Sequence, residues 1–122
     1  SQRRPDFGIW LPASKCYIYL ELKQIAWGDL TNYYEYQRAL DDIEKLNNER
    51  DSQNQQNGLI ALGFSKPKEL YSKLTDVFEK SLAQRVAKDY PDYEEIGREC
   101  IKLEEMDKHS SYAIIGMWFR KP

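Results

Sequence analysis

Three residues near the start of the chain have the types and spacing for divalent-metal chemistry: Asp6, Glu21 and Lys23. The two carboxylates fall in segments that read as strands. The turn between them is Leu11-Pro12-Ala13-Ser14-Lys15, where Pro12 presets φ and Ala13 and Ser14 are small. A hairpin centred on Ala13-Ser14 sets Trp10 opposite Tyr17, Gly8 opposite Tyr19 and Asp6 opposite Glu21. Directly opposed Cβ atoms lie about 4.5–5.5 Å apart, so two carboxylates in that relation repel. A divalent cation relieves the repulsion. Lys23 follows one step along the same face and can reach the same site.

The alternation of β-strands decides what shares a face with these groups. Phe7, Ile9 and Leu11 fall with Ile18, Leu20 and Leu22. Asp6, Glu21 and Lys23 fall together on the other side, with Tyr17 and Tyr19. The bland reading of that side is a solvated charged face, with Glu21 and Lys23 as an exposed ion pair. On either reading, truncating Lys23 is expected to open no core cavity.

Pro5-Asp6, fourteen intervening residues, then Glu21-Leu22-Lys23 resembles the PD-(D/E)XK nuclease superfamily, whose fold is restriction-endonuclease-like. The resemblance implies that Asp6 and Glu21 bind Mg²⁺ (or Mn²⁺) and that the backbone carbonyl of Leu22 completes the coordination. It implies that Lys23 activates or orients the attacking water, and Gln24 follows it as in a subset of the family. The implied activity is metal-dependent phosphodiester hydrolysis of nucleic acid, with DNA the expected substrate. Backbone contacts would come from Arg3, Arg4, Lys15 and Gln24. The competing expectation is a catalytically inactive domain of the same fold, used to bind nucleic acid or a protein partner. Nine Tyr and three Trp suit such a contact surface as well as a core.

Composition narrows the field. With 122 residues the chain is long enough for one cored domain and too short for two. It is 41% hydrophobic and 31% charged, a globular balance. No apolar run approaches ~18 residues, so no membrane span is expected. Cys16 and Cys100 have no metal-ligand spacing, which argues against zinc and fits a reducing cytoplasm. The single His109 cannot build an imidazole metal site and is read as a loop residue. No Gly-rich phosphate loop and no nucleophile elbow occurs. A net charge of −2 means that nucleic acid would have to be held by a local patch.

The elements that must position the site follow from periodicity. Asp29 or Thr31 can cap a helix over about 30–47, with Leu30, Tyr33, Tyr36 or Gln37, Leu40, Ile43 and Leu46 inward. Its segment Asp42–Leu46 resembles the helix that follows the Glu-x-Lys strand in several nuclease-like families. Residues 48–57 read as a polar loop and 58–64 as a buried central strand. Ser65 is expected to cap a helix with Pro67 in its first turn and Leu70, Leu74, Val77, Phe78, Leu82 and Val86 as its stripe. Its other side carries Lys66, Lys68, Lys73, Lys80, Arg85 and Lys88, a solvated face first and a phosphate-tracking face second. Pro91 stops that helix, and Asp92 caps another with Ile96, Cys100, Leu103 and Met106 inward. Residues 112–119 are a second interior strand.

The expectation is one domain over residues 1–122: an α/β fold with a mixed central sheet flanked by helices in three layers or nearly so. In the resembled family a helix precedes the first catalytic strand. None stands before Asp6, so the expected fold is restriction-endonuclease-like without its leading helix. The polar, basic start Ser1–Arg4 reads as the stump of a longer chain.

Overall fold

A computed structural model describes residues 7–25, 33–48, 55–65, 70–103 and 112–121, with backbone alone at 33–35 and 55. Within these residues the order is β1 (Phe7–Leu11), β2 (Cys16–Ile25), α1 (Tyr33–Asn48), β3 (Gln55–Phe64), α2 (Tyr71–Phe78), a π-helical turn (Glu79–Ala83), α3 (Gln84–Asp89), β4 (Tyr93–Lys102) and β5 (Tyr112–Arg120). The five strands form one mixed sheet in the order β1-β2-β3-β5-β4. The protein is thus an α/β fold.

β1 and β2 pair as an antiparallel hairpin in the expected register, Trp10 opposite Tyr17 and Gly8 opposite Tyr19. The turn closes with the Lys15 amide donating to the Pro12 carbonyl at 3.3 Å, and Lys15 takes φ 50° to do so. α1 carries the chain from β2 to β3, and those two strands are parallel. The βαβ unit expected from the element order is therefore present. β3 lies at the centre, with β5 antiparallel on its far side.

The core lies between the sheet and its helices. From β3 and β5 it takes Leu59, Ala61, Ile114 and Trp118; from α1 it takes Tyr36, Ala39, Leu40, Ile43 and Leu46. Leu74, Phe78, Leu82 and Val86 close it from the run of α2, π-turn and α3. Helical spacing explains both stripes. Gly116 permits a close approach, because a Cβ there would stand 2.7 Å from the Phe78 ring and 2.7 Å from Trp118. Those two rings stack 5.8 Å apart.

Four expectations need correction. Residues 93–102 form edge strand β4, paired with β5, where a helix capped by Asp92 was expected. Ile96 is exposed and sits at a register shift between Glu95 and Gly97. The strand β3 begins at Gln55, inside the expected loop, and Asn57 is fully buried with its amide donating to the Leu46 carbonyl at 2.8 Å. That bond holds the end of α1 to the start of β3. Ser65 caps no described helix: its hydroxyl accepts from the Tyr112 amide at 2.8 Å and ties β3 to β5, while α2 starts at Tyr71 with Leu70 exposed.

The hairpin's charged face, read as solvated, is the covered one. The side with Glu21, Lys23 and Ile25 lies against α1, and the side with Phe7, Ile9, Leu11 and Leu22 is open. The cause is the rest of the sheet. Glu21 pairs with Leu59 and Lys23 with Ala61, and that face of β3 is the one the helices bury. All described helices pack on this side, so the described residues make two layers. Asp29, Thr31, Leu30, Lys66, Pro67, Lys68, Met106 and His109 lie outside the described residues.

Candidate metal and nucleic-acid site

β2 delivers Glu21 and Lys23 to the covered face by simple alternation. Glu21 is only 4% exposed. An ionised carboxylate at that depth costs several kcal/mol unless partners compensate. Lys23 keeps 17% of its side chain exposed and holds its ammonium 3.3 Å from Oδ2 of Asp42, itself 5% exposed. The solvated charged face is thereby replaced by a buried polar cluster set into the helix–sheet interface.

Asp42 is placed by α1. It falls between Ala39 and Leu46 in the stripe that also buries Ile43, where a core-facing helix ordinarily carries an aliphatic side chain. Sequence reasoning gave Asp42 no role in the site. The available signal was an acid three residues after Ala39, inside an apolar stripe and next to Ile43.

The other anticipated residues distribute as follows. Asp6, Arg3 and Arg4 lie outside the described residues. Leu22 lies between Glu21 and Lys23, its side chain exposed on the open face and away from the cluster. Gln24 is exposed and shares the face of Leu22, so alternation carries its side chain away from Glu21 and Lys23. Lys15 is exposed in the hairpin turn, eight residues along the strand from Lys23, roughly 26 Å at the usual rise. β2 therefore brings Glu21 and Lys23 together, and leaves Gln24 and Lys15 apart from them.

The chemistry of the donors is hard: carboxylate and backbone carbonyl oxygen, the set that suits Mg²⁺ or Mn²⁺. Glu21 and the Leu22 carbonyl would contribute to such a site; Asp6 lies outside the described residues. Among the described residues no group of three His, Cys, Asp or Glu side chains gathers for a metal.

A second charged cluster lies across the sheet. Arg98 on β4 makes a two-pronged contact with Glu95 at 2.8 and 2.9 Å, pairs with Glu79 of the π-turn and lies over the Phe78 ring. The Glu95 hydrogen bond, above all, raises the guanidinium pKa. Arg98, Glu95 and Glu79 line an open cavity of about 280 Å³ with Tyr93 and Trp118. The contacts tie the edge strand to the helical layer. No described helix is long and apolar enough to cross a membrane. No protein-family model matches the chain, and no curated protein gives a significant match to it.

Proposed function

We propose that the chain is a metal-dependent nuclease domain of the PD-(D/E)XK type, with a restriction-endonuclease-like core. The observation that carries this reading is the burial of Glu21 beside the Lys23–Asp42 pair, in a layer that apolar side chains would fill more stably. Supporting it is the order of elements: antiparallel hairpin, helix, then a strand parallel to the Glu-x-Lys strand. Glu21 and Asp6 would hold the divalent ion, and the Leu22 carbonyl would add a third oxygen. When bound, Mg²⁺ or Mn²⁺ polarises the phosphate and lowers the pKa of a bound water. Lys23 sets its ammonium beside the phosphate and stabilises the charge that develops there. Asp42 fixes where that ammonium sits.

The second reading keeps the fold and removes the catalysis: the Lys23–Asp42 pair is structural, and the domain binds nucleic acid or protein. One experiment separates them. Plasmid and single-stranded DNA are incubated with Mg²⁺ or Mn²⁺, with chelator, and with Glu21→Gln, which keeps the buried side chain's shape. Cleavage that needs metal and is lost in Glu21→Gln is the expected result. Equal cleavage by parent and variant would overturn the assignment of Glu21, and no cleavage by the folded parent favours the second reading.

A further inference from the structure

Two tyrosine rings stand in a row on the face of the hairpin that carries Glu21 and Lys23, and a tryptophan ring flanks them. Tyr17 and Tyr19 precede Glu21 at two-residue intervals along β2, and Trp10 joins them from β1 opposite Tyr17. The Tyr17 and Tyr19 rings lie 5.8 Å apart with planes only 3° from parallel, and Trp10 lies 4.6 Å from Tyr17. Trp10 and Tyr17 are 45% and 46% exposed. Opposite Tyr19 stands Gly8, where even a Cβ would come within 3.6 Å of the ring. Large aromatics gain stability by burial, and this row forgoes much of it.

We propose that Trp10, Tyr17 and Tyr19 form a stacking platform for unpaired bases, so that nucleic acid reaches the Glu21–Lys23 site as a single strand. The proposal rests on the reading of that site as phosphodiester-cleaving. Unpaired bases expose their π faces, and stacking on protein aromatics is the sequence-tolerant way to hold them. A two-residue step along β2 is about 6.6–6.8 Å, and one such step beyond Tyr19 is Glu21. A backbone that follows the rings therefore runs along β2 toward Lys23, whose side chain keeps 17% of its surface open. Exposed Lys15 stands at the outer end of the row for a phosphate contact. The net charge of −2 provides no long-range attraction for duplex, so affinity must come from local contacts of this kind.

The test uses a labelled oligothymidylate and a duplex of equal length, with chelator present so that binding is read without cleavage. The single strand is expected to bind more tightly than the duplex. Trp10→Ala and Tyr17→Ala are each expected to weaken single-strand binding about 5- to 100-fold, and Tyr17→Phe to bind within about twofold of the parent. Melting curves show that the variants are folded, as their exposed positions imply. Duplex preference, parental binding by the alanine variants, or a loss in Tyr17→Phe equal to that in Tyr17→Ala overturns the platform; selective binding of an unstructured peptide in place of the oligonucleotide does the same. Cleavage assays of Glu21→Gln run alongside. Loss of cleavage there with parental binding by Trp10→Ala leaves the nuclease reading standing and removes the platform. Weakened binding by Trp10→Ala with undiminished cleavage by Glu21→Gln does the reverse.

Discussion

Lys23 has a charged partner in this structure, and a truncation removes the contact. Its ammonium is the cation beside Asp42, whose carboxylate is nearly sealed from solvent. Lys23→Ala is therefore expected to cost about 1–3 kcal/mol in urea unfolding, in contrast to the near-neutral change that a solvated lysine would give. The signature is coupling: Asp42→Asn should cost much less in a Lys23→Ala background than in the parent. Strict additivity of the two would mean that the pair contributes nothing. Any loss of cleavage in Lys23→Ala has to be judged against this, and Lys23→Arg, which keeps the charge, is the cleaner probe of catalysis. At Cys100 the direction of a pKa shift makes a separate prediction. Burial disfavours the thiolate and raises the pKa, although a hydrogen bond with Ile101 acts the other way. The thiolate is the nucleophile, so alkylation of Cys100 near pH 8 should be slower than that of a small free thiol and should gain on it as pH rises. Equal rates at pH 8 would contradict the burial.

Among the elements, the packing of β5 is sharply tested by a single atom. Gly116→Ala sets a methyl group against Phe78 and Trp118, both fully buried. Overpacking of that kind is expected to cost about 1–3 kcal/mol, and Phe78→Leu should return part of it in the double variant. A neutral Gly116→Ala would place those rings elsewhere. The interior strands β3 and β5 were legible because continuous apolar runs bounded by turn residues have few other uses. The hairpin register was legible because Pro12 and the small turn residues leave few alternatives. β4 was not: Pro91-Asp92 followed by Glu94 and Glu95 imitates a helix start, and Ile96, Cys100 and Leu103 fall at helical spacing. Pairing with β5 prevails over that local pattern, as tertiary context commonly does. In the site, the two-residue spacing made Glu21 and Lys23 visible. Asp42 became visible only once α1 was laid across β2, since its partner is nineteen residues away in sequence.

At the scale of the molecule, the two faces of the sheet have changed places relative to simple amphipathic logic. The hairpin's polar set is covered and its apolar set is open. Ile18, Leu20 and Leu22 of β2 share the open face with Ile60, Leu62 and Phe64 of β3 and Ile115, Met117 and Phe119 of β5, all half-buried or exposed. Phe7, Ile9 and Leu11 extend it to the β1 edge. A parallel pair such as β2–β3 ordinarily carries apolar residues on both faces, which is why alternation alone chose the wrong side to cover. An apolar surface this broad has a measurable consequence in the folded chain. The isolated chain is expected to bind anilinonaphthalene sulfonate under native conditions, without the loss of near-ultraviolet dichroism that marks a molten state. Ile9→Lys with Leu22→Lys puts two charges on that face at exposed positions. The pair should lower dye fluorescence clearly while shifting unfolding free energy by no more than about 1 kcal/mol in total. Undiminished dye binding in the double variant would place the dye, and the exposed apolar surface, somewhere other than this face.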